Sequence, residues 1–560
     1  MTPVISIDNL TFTYRGREKP ALKNITGRLE QGSFVVVMGH GGAGKSTLCC
    51  SLNGLVPGFF RGQYEGRVTV KGQEVSRHKV AEMSRLVGLV LQDFEAQLFS
   101  TTVELEMAFG PENLCIPPHE IEQRIHHYLS FLGLDKFRNH EPATLSGGQK
   151  QRLAIGSVLA MEPEVMVMDE PTTDLDPRAR QEILRVADSL RDEKRTLLIV
   201  DHEPETAENA DQVWLMKEGT IAAQGKPGQV LSDISALGAC GIAIPPMVEL
   251  FNSMGWPGNP VSVKEAIPMI EKHGLARAGK FKPPGEISAG LPGPVILQAE
   301  ELRYVYPYHH FEALHGINLS IREGEFLAFL GQNGSGKTTL AKHFNGLLKP
   351  TSGRMLLRGK PTASYTHRDM ARLVGFVFQN PDHQIFANTV YEEVGFSLKV
   401  FGEDAETIDR HVSEALDVVG LQGYEGRSPS GLMKGERQRV AVASVLAAKP
   451  HVLVLDEPTT GLDDRHQRDM MGMLKDLHKR GHTIIIITHS MKVVEEYADR
   501  TVVLKGGAIL LDGPTRTVFS DEDRLAETSL RPSPIVQLSN WLGTQALTVR
   551  QMVEELNESH

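Results

Sequence analysis

The chain has 560 residues, of which 41% are hydrophobic and 23% are charged, and its formal net charge is −11. This length predicts several folded domains, and the composition is that of a soluble globular protein. The acidic balance argues against a nucleic-acid partner, because nucleic-acid-binding domains usually carry a basic surface. Four cysteines without paired spacing exclude a disulfide framework and favour buried, reduced thiols in a cytosolic protein.

The N-terminal segment and the apolar runs predict a chain that does not cross a membrane by itself. Met1–Ser6 has neither the basic region nor the apolar region of a signal peptide. No apolar run approaches the ~18 residues that a spanning helix requires. The longest runs, such as Phe34–Met38 and Ile484–Ile487, have the length of buried strands.

A glycine-rich octapeptide, Gly39–Ser46, follows the apolar run Phe34–Met38 and precedes a helical pattern. This is the context of a P-loop, in which glycines allow backbone N–H groups to wrap phosphates. We expect Lys45 to reach the β- and γ-phosphate oxygens and Ser46 to bind Mg²⁺. Upstream, Tyr14 lies in a predicted β-hairpin, where it can stack on adenine. The predicted nucleotide-binding residues are Gly39, Gly41, Gly42, Gly44, Lys45, Ser46, Thr47 and Tyr14.

The stretch Leu145–Arg152 (LSGGQKQR) places a serine and two glycines directly before a helical run. The first turn of a helix exposes unpaired N–H groups and the positive end of its dipole, so a phosphate can approach such a tip. The stretch lacks a lysine and a metal-binding hydroxyl, so another segment must supply them. The predicted phosphate-contacting residues of this tip are Ser146, Gly147, Gly148 and Gln149.

Three strand ends of the first half carry polar residues with a catalytic pattern. Val165–Met168 is followed by Asp169, which can hold Mg²⁺, and by Glu170, which can accept a proton from attacking water. His202 follows another strand and is expected to contact the γ-phosphate. Gln92 also follows a strand pattern, and its amide can bind Mg²⁺ or position water.

The P-loop motif recurs as Gly331–Thr338, shifted by 337 − 45 = 292 positions, and later landmarks recur at 456 − 169 = 287. The offset falls from 292 to 287 because the first copy has a longer loop, Val56–Gly66. So long a period means two tandem domains rather than a solenoid. The predicted site residues of the second copy are Gly331, Asn333, Gly334, Gly336, Lys337, Thr338, Thr339, Tyr306, Gln379, Asp456, Glu457 and His489, with Thr338, Gln379 and Asp456 as metal ligands.

Short apolar strands that alternate with helical patterns predict an α/β fold with a parallel sheet in each copy. Pro246–Leu250 resembles Pro534–Leu538, so each copy is expected to end in a small helical appendage. A Gly/Pro-rich stretch without periodicity predicts a linker between the copies. The predicted boundaries are 1–235 and 295–520 for the two domains, 236–275 and 521–560 for the appendages, and 276–294 for the linker.

The order P-loop, glutamine, LSGGQ, strand-Asp-Glu and histidine resembles that of the ATP-binding cassette (ABC) ATPases, across both lobes. The resemblance implies ATP hydrolysis with Mg²⁺, and antiparallel β and helical subdomains beside each parallel core. It also implies head-to-tail pairing of the lobes within the chain, with each ATP between one P-loop and the other LSGGQ tip. Leu145–Gln149 would thereby complete the site of Gly331–Thr338, and Asp176 and Asp463 match the segment that crosses the seam.

Two segments narrow the resemblance. Gln92–Phe99 (QDFEAQLF) and Gln379–Phe386 (QNPDHQIF) look like the glutamine-helix segment of energy-coupling-factor ATPases, and Val103–Gly110 fits the same family. This implies a peripheral ATPase at the cytoplasmic face of the cell membrane. Its partners would be an integral-membrane scaffold and a substrate-capturing membrane subunit that import a vitamin, a vitamin precursor or a cobalt or nickel ion. The alternatives are a soluble tandem ABC ATPase acting on ribosomes or DNA, and the tandem ATPase of a sugar-type importer.

The second copy departs from the LSGGQ pattern. Its equivalent stretch is Leu432–Arg439 (LMKGERQR), in which Met433 replaces the serine and Lys434 the first glycine. Nearby Ser430 and Gly431 could serve only with a two-residue slip, against the constant offset. Because Met433 offers no hydroxyl, and loss of one transition-state donor costs about 10²–10³ in rate, we expect two unequal sites.

The hypothesis assigns a role to each site. The site of Lys337 and Glu457, completed by Ser146, Gly147 and Gly148, is expected to be the main hydrolytic site. The site of Lys45 and Glu170, facing Met433, is expected mainly to bind ATP.

Overall fold

The structure is a computed structural model that describes residues 3–173, 175–275, 293–307, 311–460, 462 and 464–558, without the side chains of 464 and 465. It divides into two compact units, Met1–His273 and Gly274–His560. Most of the predicted linker, and Asp463 of the predicted seam segment, lie outside the described residues.

The first unit combines two sheets with helices on both sides of the larger sheet. Its strands are β1 Ile5–Tyr14, β2 Leu22–Leu29, β3 Phe34–Met38, β4 Gly62–Val70, β5 Gln73–Glu74, β6 Val87–Val90, β7 Val165–Asp169, β8 Thr196–Val200, β9 Gln212–Lys217 and β10 Thr220–Gly225. Its helices are α1 Lys45–Leu52, α2 Leu55–Gly58, α3 Val80–Met83, α4 Val103–Asn113, α5 Pro118–Phe131, α6 Gly147–Leu159, α7 Pro177–Asp192, α8 Pro204–Ala207, α9 Pro227–Val230, α10 Ile234–Ala239, α11 Pro246–Met254 and α12 Val263–Lys272.

The larger sheet of this unit has the strand order β10-β9-β3-β8-β7-β6. All neighbouring pairs are parallel except β9 and β10. The smaller sheet, β2-β1-β4-β5, is antiparallel. Because parallel strands end at one edge, the segments that follow β3, β6, β7 and β8 meet there.

The alternation of side chains along β3 explains why this sheet is buried on both faces. Val35 and Val37 pack into an apolar cluster with the antiparallel sheet. Phe34, Val36 and Met38 pack into a second cluster, which also contains residues of α4, α5, α6 and α7. A strand covered on both faces has no polar side, so its sequence is a continuous apolar run.

The second unit repeats this architecture, with sheets ordered β16-β17-β18-β13-β19-β20 and β12-β11-β14-β15. The prediction of an α/β fold with two tandem P-loop domains is therefore confirmed. Its strands are β11 Val295–Tyr306, β12 Phe311–Arg322, β13 Phe326–Leu330, β14 Ser352–Leu357, β15 Lys360–Pro361, β16 Val374–Val377, β17 Val452–Asp456, β18 Thr483–Ile487, β19 Arg500–Lys505 and β20 Ala508–Pro514. Its helices are α13 Lys337–Phe344, α14 His367–Leu373, α15 Val390–Val400, α16 Ala405–Val418, α17 Lys434–Leu446, α18 Asp464–Lys479, α19 Met491–Tyr497, α20 Thr515–Ser520, α21 Glu522–Ala526, α22 Pro534–Leu542 and α23 Val549–Glu558.

Each unit ends in a pair of helices, α11 with α12 and α22 with α23. The first helix of each pair ends at a glycine in the left-handed region, Gly255 (φ 65°) or Gly543 (φ 74°), which allows the chain to turn back. Leu250 and Phe251 of α11 are buried. The Ser262 hydroxyl caps α12 by accepting from the Glu265 N–H at 3.3 Å.

The structure also bears on the expectations from composition. All four cysteines are free; Cys49, Cys50 and Cys240 are buried, whereas Cys115 is exposed, contrary to the expectation of buried thiols. Cys115 follows the end of α4 and is not a member of either core cluster of the first unit, whereas its neighbour Ile116 packs against one of them. Across the described ranges, no helix has both the length and the apolar character needed to span a membrane.

The packing of the larger sheet against the helix after the LSGGQ stretch gives a stability prediction. A Cβ on Gly88 would lie 2.4 Å from Val158 Cγ1 and 2.7 Å from Pro163 Cγ, and both of these side chains are buried. We expect Gly88→Ala to destabilise the first unit by about 1–3 kcal/mol through overpacking. Thermal unfolding of the full chain measures this, with Gly228→Ala, whose Cβ meets nothing within 4 Å, as the control. An unchanged melting temperature for Gly88→Ala would contradict the packing.

Candidate active site

The glycines of the first P-loop serve two different purposes. A Cβ on Gly39 would lie 2.4 Å from Met216 O, and one on Gly44, whose φ is +99°, would lie 2.5 Å from Ala21 O. Gly41 and Gly42 instead face open space. The outer glycines are therefore required by packing, whereas the inner two leave the backbone accessible to a phosphate.

Lys45 is buried at the start of α1 and lies under this loop. Its Nζ donates to Gly39 O at 2.9 Å and His40 O at 3.1 Å, and lies 3.7 Å from Glu170 Oε1. Burial lowers the pKa of Lys45, and the charge of Glu170 partly opposes this change. A cation held where water is scarce favours an anionic ligand.

Two of the three metal-binding residues predicted for the first unit, Ser46 and Asp169, lie side by side. Asp169 is buried at the end of β7, and its Oδ1 has no hydrogen-bond partner. Burial raises the pKa of Asp169, and a hydrogen bond with Ser46 opposes the rise. A hydroxyl beside an unsatisfied carboxylate oxygen is a donor set that suits Mg²⁺, which takes few protein ligands and completes its shell with phosphates and water. The described part of the chain holds no group of three or more His, Cys, Asp or Glu side chains that could hold a metal ion.

Glu170 is the centre of the hydrogen-bond network at this edge. Its backbone is left-handed (φ 50°), a conformation that costs a non-glycine residue about 1 kcal/mol or more. Its Oε1 lies 2.6 Å from His202 Nε2, and its Oε2 accepts from Gln92 Nε2 at 2.9 Å. Burial alone raises the pKa of Glu170, but the hydrogen bond and charge of His202 and the charge of Lys45 lower it overall. Glu170 is therefore ionised at neutral pH, the state in which it can accept a proton.

One positioning residue of this unit was not identified from the sequence. Asp201 is buried and accepts hydrogen bonds from Thr172 and Thr206 at 3.0 and 2.8 Å. It also accepts from the backbone N–H of His202 at 2.6 Å, which fixes the loop that carries the histidine. The sequence feature that could have identified Asp201 is its place directly before that histidine. The second unit has Thr488 in its place, so the repeat did not reveal it.

The second P-loop has the same geometry. Lys337 is buried, and its Nζ donates to Gly331 O at 2.7 Å and Gln332 O at 2.8 Å. The Thr338 hydroxyl donates to Asp456 Oδ2 at 2.8 Å. Burial raises the pKa of Asp456, and the Thr338 hydrogen bond opposes this. The predicted Mg²⁺ ligands Thr338 and Asp456 are thus adjacent.

Glu457 repeats the left-handed backbone of its counterpart (φ 50°). Its Oε1 lies 2.9 Å from His489 Nδ1, and its Oε2 accepts from the Thr460 hydroxyl at 3.3 Å. Gln379 is exposed, and the hydrogen bonds of the described residues include none between it and Glu457. The carboxylate of the second unit is therefore held by one fewer amide than that of the first.

The two predicted adenine-stacking tyrosines occupy equivalent places. Tyr14 OH lies 3.1 Å from Thr47 Oγ1, and Tyr306 OH lies 3.1 Å from Thr339 Oγ1. Each tyrosine is thereby tied to the first turn of its P-loop helix, and each remains partly exposed.

The LSGGQ stretch forms the N-terminus of α6, as predicted. Ser146 is the N-cap: its Oγ accepts from the Gln149 N–H at 3.4 Å, and its own N–H donates to Gln149 Oε1 at 2.9 Å. Gly147 faces open space, whereas a Cβ on Gly148 would lie 2.5 Å from Ala179 Cβ. Gly148 is therefore required by the packing of α7 against α6, and Gly147 alone is free of such a constraint.

The tip residues do not join the P-loop of their own unit. Among the hydrogen bonds and ion pairs of the described residues, none connects Ser146–Gln149 with Gly39–Ser46. The first unit thus brings Lys45, Asp169 and Glu170 together but leaves its LSGGQ tip apart from them.

The equivalent helix of the second unit settles the alignment of the altered stretch. Helix α17 begins at Lys434 and ends at Leu446, each 287 positions after the bounds of α6. Met433 is the N-cap with 65% exposure, and Lys434 is also exposed, at the position where Gly147 faces open space. Gly435, the counterpart of the packing-constrained Gly148, is retained. The two-residue slip is excluded, because Ser430 and Gly431 lie in the preceding 3-10 turn.

A glycine loop and buried lysine before a helix, with a hydroxyl and strand-end acids beside it, define each unit as a P-loop ATPase. The ABC transporter family model matches residues 22–173 and 314–460. The chain belongs to this family, and it is an ABC ATPase of a transporter, with two tandem ATP-binding domains.

Relatives described as ABC transporter ATP-binding proteins match nearly the whole chain. An ABC transporter ATP-binding protein of Caldanaerobacter subterraneus subsp. tengcongensis is 47% identical over 559 residues, covering 98% of each chain. One of Methanosarcina acetivorans is 41% identical, covering 95% of this chain and 89% of its own. The solved structure of cbiO1 from Clostridium perfringens, part of the ABC transporter complex cbiONQ, is 39% identical and covers 44% of this chain and 98% of its own, with a TM-score of 0.39.

The different surroundings of the two LSGGQ glycines give a matched prediction. Gly147→Ala should leave thermal stability unchanged but lower the ATPase kcat by up to about 10²-fold, because a methyl group stands where phosphate is expected to approach. Gly148→Ala should instead lower the melting temperature, because its Cβ would lie 2.5 Å from Ala179 Cβ. Thermal unfolding and steady-state ATPase assays separate the two effects. Equal stability losses would contradict the distinction.

Proposed function

We propose that this protein is the ATP-hydrolysing motor subunit of an energy-coupling-factor-type importer, working at the cytoplasmic face of a cell membrane. The observation that carries the proposal is the segment after each site glutamine. In both units it forms a 3-10 turn, Glu95–Gln97 or Pro381–His383, followed by an exposed aromatic pair. These are the two segments whose sequence resembles the glutamine helix of that class.

The aromatic pairs support a membrane-protein partner. Phe99 and Phe109 are 62% and 48% exposed, with ring centroids 4.6 Å apart. Phe386 and Phe396 repeat this arrangement at 65% and 46% exposure and 4.7 Å. Clustered, exposed aromatic rings commonly mark protein interfaces. We assign each pair as the docking surface for a cytoplasmic helix of the integral-membrane scaffold.

Each P-loop would bind one ATP. The inner glycines and Lys45 or Lys337 hold the phosphates, and Mg²⁺ bound by the neighbouring hydroxyl and aspartate would neutralise phosphate charge. Glu170 or Glu457 accepts the proton of attacking water, and the histidine 2.6 or 2.9 Å away orients that carboxylate. Tyr14 and Tyr306 stack on the adenine rings.

Pairing of the two lobes within the chain would complete both sites. In the first unit, no hydrogen bond or ion pair of the described residues joins the LSGGQ tip to its own P-loop, which supports its use by the other lobe. By the family resemblance, Ser146–Gln149 completes the ATP site of Gly331–Thr338, and Met433–Gly435 faces the ATP at Gly39–Ser46. ATP then brings the lobes together, and hydrolysis releases them to move the membrane partner.

The two sites are proposed to differ in rate. Met433 has no hydroxyl for the γ-phosphate, and Lys434 places a side chain where Gly147 leaves open space in the other tip. Packing does not account for either substitution, and the glycine at the position of the constrained Gly148 is kept as Gly435. The site of Lys337 and Glu457 is therefore the main hydrolytic site.

The same Glu→Gln change at equivalent positions tests this asymmetry. Glu457→Gln should lower ATPase kcat of the assembled complex about 10²-fold or more, because it removes the proton acceptor of the main site. Glu170→Gln should remove only a minor share, because that site already runs about 10²–10³-fold slower. Equal losses, or a larger loss from Glu170→Gln, would refute the assignment.

A gain-of-function variant provides the control. Met433→Ser combined with Lys434→Gly restores the LSGG pattern of the second tip, so kcat should rise about twofold as the second site becomes active. In that background, Glu170→Gln should lower kcat by a clearly larger share than it does in the wild type. A restored tip with unchanged kinetics would show that another feature limits the first site.

The proposed cargo is a micronutrient: a vitamin, a vitamin precursor, or a cobalt or nickel ion. Substrate choice belongs to the separate substrate-capturing membrane subunit, which the scaffold holds beside the motor. Isolating the intact complex in detergent and identifying the retained small molecule by mass spectrometry assigns the cargo.

Co-purification from detergent-solubilised membranes tests the partner. Wild type should retain hydrophobic subunits, and Phe99→Asp with Phe386→Asp should lose them while keeping its melting temperature, because both rings are exposed. The matched control is Phe311→Asp, another exposed phenylalanine (56%) on β12. Co-sedimentation with ribosomes or binding to DNA would favour the soluble alternative, and a sugar retained by the complex would favour the sugar-type importer.

A further inference from the structure

An ion pair joins the glutamine segment to the LSGGQ-type helix in both units. Lys150 Nζ lies 2.8 Å from Glu95 Oε1 in the first unit. Arg437 Nε lies 2.8 Å from Asp382 Oδ1 in the second. The four residues occupy the same two positions of the repeat, with the same polarity but different side chains. The ion pair is therefore formed in both units, although the acidic and basic side chains differ in length.

A glutamine at or directly after the end of each 3-10 turn ties the same segment to the residue that follows the preceding strand. Gln97 Oε1 accepts from the Leu91 N–H at 3.2 Å, and Gln384 Oε1 accepts from the Phe378 N–H at 3.2 Å. In the second unit, Gln384 Nε2 also donates to Ala441 O of α17 at 2.9 Å. The segment is thus tied to the strand edge and, through this side chain, to the same helix as the ion pair.

A buried carboxylate holds the other end of the segment. Glu106 of α4 accepts from the backbone N–H groups of Phe99 and Ser100 at 3.0 and 2.8 Å. Glu393 of α15 accepts from the corresponding two N–H groups at 3.0 and 2.9 Å. Since charge-assisted bonds to buried carboxylates are strong, this end is anchored to the helical part of the unit.

Of the three connections just described, only the ion pair involves a residue in the first turn of the LSGGQ-type helix. Lys150 is 19% and Arg437 23% exposed, whereas the acids Glu95 and Asp382 are 60% and 55% exposed. Partly exposed pairs contribute little to stability, so folding alone does not account for its presence in both units. Its position, three residues after the site glutamine and four after the helix N-cap, connects two parts of the ATP machinery.

We propose that Lys150–Glu95 and Arg437–Asp382 are positioning pairs that make the glutamine segment and the LSGGQ-type tip move as one body. In the first unit, Gln92 bonds to Glu170, so the pair relates the state of that carboxylate to the placement of Ser146 and Gly147. This inference rests on the proposed roles of those residues in ATP hydrolysis. Because the tip of the first unit retains its serine, Lys150–Glu95 matters more for catalysis than Arg437–Asp382.

Charge reversal in the assembled complex tests the proposal. Lys150→Glu and Glu95→Lys should each lower ATPase kcat about threefold to tenfold, with KM for ATP nearly unchanged, because the tip is misplaced while the P-loop is intact. The double reversal should restore kcat. Glu95→Asp with Lys150→Arg, which installs the residue types of the second unit, should also keep it. Lys71→Glu, which breaks the exposed Lys71–Glu164 pair (2.7 Å), is the off-site control.

The matched variant Arg437→Glu separates this inference from the proposed asymmetry. If Arg437→Glu lowers kcat less than Lys150→Glu does, the result supports both the positioning pairs and the asymmetry of the tips. Equal losses, each rescued by reversing the partner acid, support the positioning pairs and overturn the asymmetry of the tips. Unchanged kcat in both single reversals, or losses that the double reversal fails to restore or that accompany a lower melting temperature, overturns the positioning role.

Discussion

Burial of a parallel sheet on both faces is the constraint on which each unit depends. Strands such as β3 and β7 carry continuous apolar sequence because the antiparallel sheet and α1 cover one face and other helices cover the opposite face. Polar side chains are thereby confined to the strand ends. All parallel strands end at one edge, so the P-loop lysine, the aspartate and glutamate pair, and the histidine meet there without any sequence proximity.

The chemistry at that edge depends on competing electrostatic effects. Burial penalises the charges of Lys45 and Asp169, and each is supported by an oppositely charged or hydrogen-bonding neighbour. Glu170 remains ionised because His202 and Lys45 outweigh its own desolvation. The left-handed backbone of Glu170 and Glu457 shows that both units accept local strain to aim this carboxylate. The buried lysine and the strand-end acids are therefore held close together by their own ion pairs and hydrogen bonds.

Duplication makes the divergence of the two tips interpretable. Of the two glycines in LSGGQ, the one that packing requires, Gly148, is kept as Gly435, and the one in open space, Gly147, is replaced by Lys434. Packing therefore leaves room for the side chain of Lys434, and the proposed consequence of the change is for phosphate contact. The ion pairs of the glutamine segments, by contrast, persist in both units with altered side chains. The ion-pair positions are thus retained in both units, whereas the serine and first glycine of the tip are not.

The sequence by itself determined the α/β class, the tandem repeat, both P-loops and the strand-end acids, because short-range patterns of apolar runs and glycines dictate them. It also located Met433 through the constant offset. Tertiary structure alone revealed that Asp201 holds the histidine loop, that Gly148 serves helix packing, and that Lys150 pairs with Glu95. These depend on atoms brought together by sheet order and helix packing, across separations that no local pattern records.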